Sequence, residues 1–195
     1  MEIFDDNGYS PYIKGLYYED DFITEEEEKQ LLADIYAAEW KNVLNRRVQH
    51  YGYSYDYVLK KIEYVGELPE FLTAINKKVS DYLLDEGQLF NQVIINEYVP
   101  GQGIGAHTDL LQLGSIVVCI SLGSTVLMNF SRSPHLHSVQ LNRRSLVVME
   151  NDARYYWKHS IPARTWDLLV QSDGTEKKTK RETRVSITFR LVPSK

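Results

Sequence analysis

The chain has 195 residues, 43% of them hydrophobic and 25% charged, and carries a formal net charge of −5. That suits one globular domain with one sizeable core and excludes collagen-like, low-complexity and disulfide-rich classes. An acidic chain does not hold nucleic acid by bulk positive potential, so any such contact must be local. Cys119 is the only cysteine, which rules out an internal disulfide or a cysteine-based zinc site. Within the apolar run 116–120 it reads as a buried, inert thiol. The acidic start Met1-Glu2-Ile3-Phe4-Asp5-Asp6 lacks the basic and apolar regions of a secretory signal. No run approaches the ~20 apolar residues a membrane helix needs. A soluble monomer of a reducing compartment, cytoplasmic or nuclear, with no membrane association, is expected.

Thr24 and Glu27 form a capping-box pattern, and Glu25 to Glu28 place negative charge at a helix start. Leu31, Leu32, Ile35 and Ala38 then share one face, predicting a helix over 25–39. A second helix is predicted from Pro69 to Gly87, with Phe71, Leu72, Ile75, Val79, Tyr82 and Leu83 as its stripe. Beyond Gly87 the pattern turns strand-like over 93–98, 115–122, 125–130, 145–149, 166–170 and 184–192. Turn signals at Pro100-Gly101-Gln102-Gly103, Ser133-Pro134, Asn151-Asp152 and Ser172-Asp173-Gly174 divide these runs. Two helices followed by strands predict an α+β fold, with helices against one face of a sandwich or jelly roll. One domain over 1–195 is expected, with helices and an intervening segment in 1–90 and a β core in 91–195.

Between the helices, residues 46–57 are basic and aromatic, with tyrosines at 51, 53, 55 and 57. They suit either one face of an edge strand or a mobile cover that stacks on a flat ligand. His135 and His137 have metal-type spacing but follow Pro134 on an expected loop tip without a third ligand. Residues 177–181 read as a solvated hairpin loop, with phosphate contact as the alternative.

The chemistry concentrates in His107, Asp109, His159, Arg184 and Arg190. Residues i and i+2 of a strand point the same way, so His107 and Asp109 can face one point while Thr108 faces away. A second imidazole from His159 completes a two-histidine, one-carboxylate face that suits non-haem Fe(II), because three coordination positions stay open. Arg184 and Arg190 fall on the strand face opposite Val185, Ile187 and Phe189, about 20 Å apart at ~3.3 Å per residue. Guanidinium forks there can grip the ends of a short dicarboxylate.

These residues, in this order and spacing, resemble the AlkB family of Fe(II)- and 2-oxoglutarate-dependent dioxygenases. So do the stretch from Asn96 to Ile104, the segments Ser121-Leu122-Gly123-Ser124 and Arg143-Arg144-Ser145-Leu146, and the run from Arg46 to Tyr53. This last run resembles the nucleotide-recognition lid of the branch that hydroxylates tRNA wobble uridine. The resemblance implies a double-stranded β-helix (a jelly roll) with two N-terminal supporting helices. It implies His107, Asp109 and His159 as iron ligands, and Arg184, Arg190, Asn96 and Tyr98 as the 2-oxoglutarate site. Arg46, Arg47, Tyr51 and Tyr53 would contact a nucleic-acid substrate, RNA or tRNA ahead of DNA, and Trp157 would wall its pocket or pack in the core. The reaction implied consumes O2 and hydroxylates or demethylates a nucleobase. One position departs from the family: Leu111 stands where bacterial repair members carry an acidic residue that contacts the damaged base. A hydroxylase of protein or small molecule, and a non-catalytic β-helix binding module, are the competing readings.

Overall fold

The computed structural model describes residues 4–43, 46–56, 61–171 and 173–193. Tyr57, part of the aromatic segment, and Ser172, part of an expected turn, lie outside them.

The N-terminal part contains β1 (Leu16–Glu19), α1 (Glu25–Ala37), β2 (Lys41–Val43), β3 (Arg46–Asp56), β4 (Lys61–Gly66) and α2 (Thr73–Leu83). The capping box forms: Glu27 N donates to Thr24 Oγ1 at 3.1 Å and Thr24 N donates to Glu27 Oε2 at 2.7 Å. Pro69 does not open the second helix. Its carbonyl accepts from Leu72 N, starting a 3-10 turn over Glu70–Leu72, and the α-helix begins only at Thr73. Along α2, Asn76 donates to the Phe90 carbonyl and Ser80 Oγ accepts from Phe90 N, which fastens the helix to the strand that follows.

The remainder is β5 (Gln92–Tyr98), β6 (Ile104–His107), β7 (Val117–Gly123), β8 (Val126–Arg132), β9 (His135–Leu141), β10 (Leu146–Met149), the short α3 (Asn151–Tyr155), β11 (Lys158–Ile161), β12 (Trp166–Val170), β13 (Glu176–Lys180) and β14 (Arg184–Arg190). The large sheet runs β1-β10-β7-β14-β5-β3-β2, with β4 on β3; a four-stranded sheet runs β6-β11-β8-β9; β12 and β13 pair separately. Mostly antiparallel strands in two opposed sheets, with helices outside one of them, give the expected jelly roll.

Strand alternation sets the layers. Val185, Ile187 and Phe189 join Leu31, Ile35, Ile75 and Val79 in a core between the large sheet and the helices. Val117, Cys119, Val147 and Met149 meet Met128, Phe130, Val139 and Leu141 in a second core between the sheets. Arg184, Ser186, Thr188 and Arg190 occupy the β14 face opposite Val185, Ile187 and Phe189. Cys119 is buried as expected.

Two segments differ from the sequence reading, and a third takes one of its two alternatives. Residues 46–56 form a strand paired with β5, β2 and β4, the strand alternative of the two left open above, though inside the large sheet rather than at its edge. Residues 135–141 are a strand, not a loop tip; His137 packs on Tyr12 and Trp157 at ring distances of 5.3 and 5.5 Å. Residues 176–180 are also a strand, β13. β3 and β13 carry mostly polar or aromatic side chains that backbone pairing accommodates, whereas β9 shows its apolar alternation only at its end, in Val139 and Leu141.

Candidate active site

The small sheet supplies the two imidazoles. In the β6–β11 ladder His107 lies directly opposite His159, and the ring centroids are 4.3 Å apart. Glycine permits the approach: a Cβ on Gly103 would sit 2.2 Å from the Ile161 carbonyl oxygen. Asp109 falls two residues beyond the end of β6, before a 3-10 turn over Leu111–Leu113. Strand alternation therefore does not by itself orient this carboxylate. Two arginines do.

Arg190 Nη2 donates to Asp109 Oδ1 at 2.6 Å and its Nη1 to Gln92 Oε1 at 3.1 Å. Arg154, on α3 and 2% exposed, donates to the backbone carbonyls of Asp109, Leu110 and Gly114. Gly114 has φ of +88°, and a Cβ there would lie 2.1 Å from the Leu191 carbonyl oxygen. The loop after Asp109 is thus pressed on the end of β14 and clamped from α3. Asp109 Oδ2 remains turned to His159 Nε2, 3.9 Å away. One ligand atom from each of His107, Asp109 and His159 falls within 4.8 Å of the others, and among the described residues no other such cluster is found. His135 and His137 do not join it.

Protonation favours metal binding. His107 Nδ1 lies 2.8 Å from the Gly105 carbonyl oxygen, which can only accept, so Nδ1 is the donor in this contact and Nε2 is the nitrogen left to face a metal. Burial pushes His159 down to about 4, leaving it neutral at pH 7. Burial would raise the Asp109 carboxyl, but Arg190, His159 and Arg154 outweigh it and hold the group below its ordinary value. Two imidazoles and one carboxylate oxygen are the donor set of a mononuclear non-haem Fe(II) centre.

Arg184, at the far end of β14, is 1% exposed. Its Nη2 donates to Ser121 Oγ at 2.9 Å and approaches Cys119 Sγ at 3.8 Å; its Nε has no partner. Among the described residues no carboxylate pairs with it. Tyr98 lies under Arg184 and Arg46, each guanidinium 5.6 Å from its ring centroid, and burial raises its phenol. Asn96 Oδ1 accepts from Arg46 Nε at 3.0 Å. A buried cation without counter-charge is costly unless an anionic ligand completes it. The residues present therefore fit both iron and a dicarboxylate co-substrate.

The other expected contacts are distributed differently. Arg47 faces the helices, where it forks onto Glu97 and lies 4.8 Å from the Trp40 ring. Tyr51 faces the same way and packs edge-on against Phe71. Tyr53 packs on Tyr64 across the β3–β4 hairpin. Trp157 is 5% exposed and belongs to the inter-sheet core. Of the β3 residues named, only Arg46 reaches the Asn96–Tyr98 side. Arg154 and Gln92 escaped the sequence reading, because a buried polar residue that holds a ligand in place leaves no motif.

Paired imidazoles, an arginine-held carboxylate and an uncompensated guanidinium between two antiparallel sheets define an iron- and 2-oxo-acid-dependent oxygenase. The chain belongs to the 2OG-Fe(II) oxygenase superfamily, whose family model matches residues 37–190. Its relatives are of the AlkB type. It is 31% identical to the "Probable RNA/DNA demethylase ALKBH6" of Danio rerio, over 91% of this chain and 86% of that one. It is 34% identical to the "tRNA (carboxymethyluridine(34)-5-O)-methyltransferase alkbh8" of Xenopus tropicalis, covering 91% of this chain but 32% of that protein. The chain thus spans about a third of this longer relative. Among solved structures, OsALKBH1 superposes with a TM-score of 0.62 at 14% identity, over 91% and 96% of the two chains.

Proposed function

We propose that this enzyme oxidises a carbon on a modified or alkylated nucleobase, in RNA ahead of DNA, by hydroxylation or oxidative demethylation. The single observation that carries the co-substrate assignment is the buried, uncompensated Arg184 facing the same interior as the His107-Asp109-His159 cluster. On this reading His107, Asp109 and His159 hold iron, Arg184 takes the distal carboxylate of 2-oxoglutarate, and Asn96 and Tyr98 line its bed. When bound, iron with 2-oxoglutarate and O2 supplies an oxidant that inserts one oxygen atom into a substrate C–H bond while succinate and CO2 leave. Arg190 holds Asp109 with one oxygen toward the metal, and the inter-sheet core excludes water. No protein acid or base is needed; Glu97 is committed to Arg47 and Tyr36 on the helix side.

The nucleobase reading is supported by the tRNA- and RNA/DNA-directed names of the relatives. Base contact falls to the Arg46 side of β3 and to Tyr53 on the β3–β4 hairpin. The test is mass spectrometry of nucleosides from total tRNA, other RNA and DNA incubated with the iron-loaded protein and 2-oxoglutarate. A nucleoside gaining one oxygen or losing one methyl is expected, RNA first. Succinate formation without any altered nucleoside in these pools would favour a protein or small-molecule substrate.

A further inference from the structure

We infer that the outward face of the β12–β13 hairpin docks the single strand of the RNA substrate outside the metal pocket. This rests on the RNA reading above. In β12, Asp167 and Leu169 are buried, whereas Trp166, Leu168 and Val170 are 42%, 44% and 52% exposed. The register sets Trp166 opposite Lys180, Leu168 opposite Lys178 and Val170 opposite Glu176, and directly opposed residues share a face. An exposed apolar stripe thus lies beside two lysines. Lys178 Nζ sits 4.1 Å above the Trp166 ring and covers one face of an indole that is still 42% exposed.

The buried acid is already engaged, and the exposed Glu176 stands at the far end of this face, opposite Val170. Asp167 accepts from Arg164 Nε and from Arg181 Nε, both at 2.6 Å, and among the described residues no carboxylate bridges Lys178 or Lys180. On a chain of net charge −5 the Trp166 end of this face, with Lys178 and Lys180, is a local positive surface with an aromatic platform. A single nucleic-acid strand offers the matching pair of groups, base faces for the indole and phosphates for the lysines. Location supports it too: the hairpin connects His159 to Arg184. Trp166 follows His159 by seven residues, a reach of at most about 25 Å. The base of the hairpin is braced by Arg181, which also donates to the Pro162 carbonyl at 2.8 Å.

The test is fluorescence anisotropy of a labelled single-stranded RNA oligonucleotide, titrated with the whole chain across a salt series. Wild type is compared with Lys178→Gln/Lys180→Gln, with Trp166→Ala, and with the charge-matched helix pair Lys29→Gln/Lys77→Gln. The lysine variant is expected to flatten the dependence of log Kd on log salt by about 1.4, two phosphates at ~0.7 each. Trp166→Ala is expected to weaken binding about fivefold or more. The helix pair keeps wild-type binding, and RNA-independent succinate release stays at the wild-type level in every variant. Unchanged affinity and salt slope in the hairpin variants, with wild type binding RNA, overturn the hairpin assignment alone. Equal weakening by the helix pair does the same. A wild type that consumes 2-oxoglutarate but binds no RNA overturns both this assignment and the RNA reading.

Discussion

Arg184 and Arg190 stand on the same face of β14, six residues apart, and their surroundings are opposite. Arg190 is met by Asp109 and Gln92. Arg184 is met by a hydroxyl, a thiol and an aromatic ring, with Nε left over. The first end has its negative charge supplied by the protein itself, through Asp109, although its Nε, like that of Arg184, has no partner. The second has no carboxylate partner among the described residues, which is why we propose it for the distal carboxylate of the co-substrate. One strand thus carries one guanidinium whose counter-charge the protein supplies and one whose counter-charge it does not, and the proposed co-substrate would supply the second.

The contrast predicts effects of opposite sign. Arg190→Met strands the Asp109 carboxylate in the interior, and chemical denaturation should show a loss of about 3–5 kcal/mol. A stability equal to wild type would mean that the pair does not hold the loop. Arg184→Met removes a buried charge that has no partner, so the ligand-free protein should be as stable as wild type or more so. Its 2-oxoglutarate affinity should fall about 10- to 100-fold, the worth of hydrogen bonds to a charged group. Calorimetric titration checks this, and an unchanged affinity would place the co-substrate elsewhere. Arg154→Met should cut iron affinity about 10- to 100-fold, as loss of an outer-shell partner does, while 2-oxoglutarate binding to the metal-free protein stays near wild type.

The smallest effect is acid sensitivity. His159 is held down to about 4 by burial, so below its unfolded value near 6.5 the unfolded chain binds a proton that the folded chain refuses. The metal-free protein should lose about 1 kcal/mol from this group between pH 7 and pH 5.5. His159→Gln should remove that component, and denaturation at the two pH values measures it.

Much of this site was legible in the sequence, for identifiable reasons. His107, Asp109, His159, Arg184 and Arg190 are residues whose chemistry is specific and whose spacing survives folding. Thr24 and Glu27 marked a helix start because capping is local. What was not legible depends on partners distant in sequence. That His107 faces His159 is a matter of ladder register, and that Asp109 lies outside the strand is visible only once Arg190 and Arg154 close around it. Strands β9 and β13 escaped because β13 is polar on both faces and β9 begins with polar residues, its inward Val139 and Leu141 coming only at its end. The same alternation turned Arg47 and Tyr51 toward the helices while Arg46 kept the pocket side.

Iron-dependent succinate release from 2-oxoglutarate, compared between wild type and His107→Ala, tests the central claim most directly. Turnover that requires added Fe(II) and falls to background in the variant is the predicted result. Succinate formed equally by both proteins would contradict a centre built from His107, Asp109 and His159.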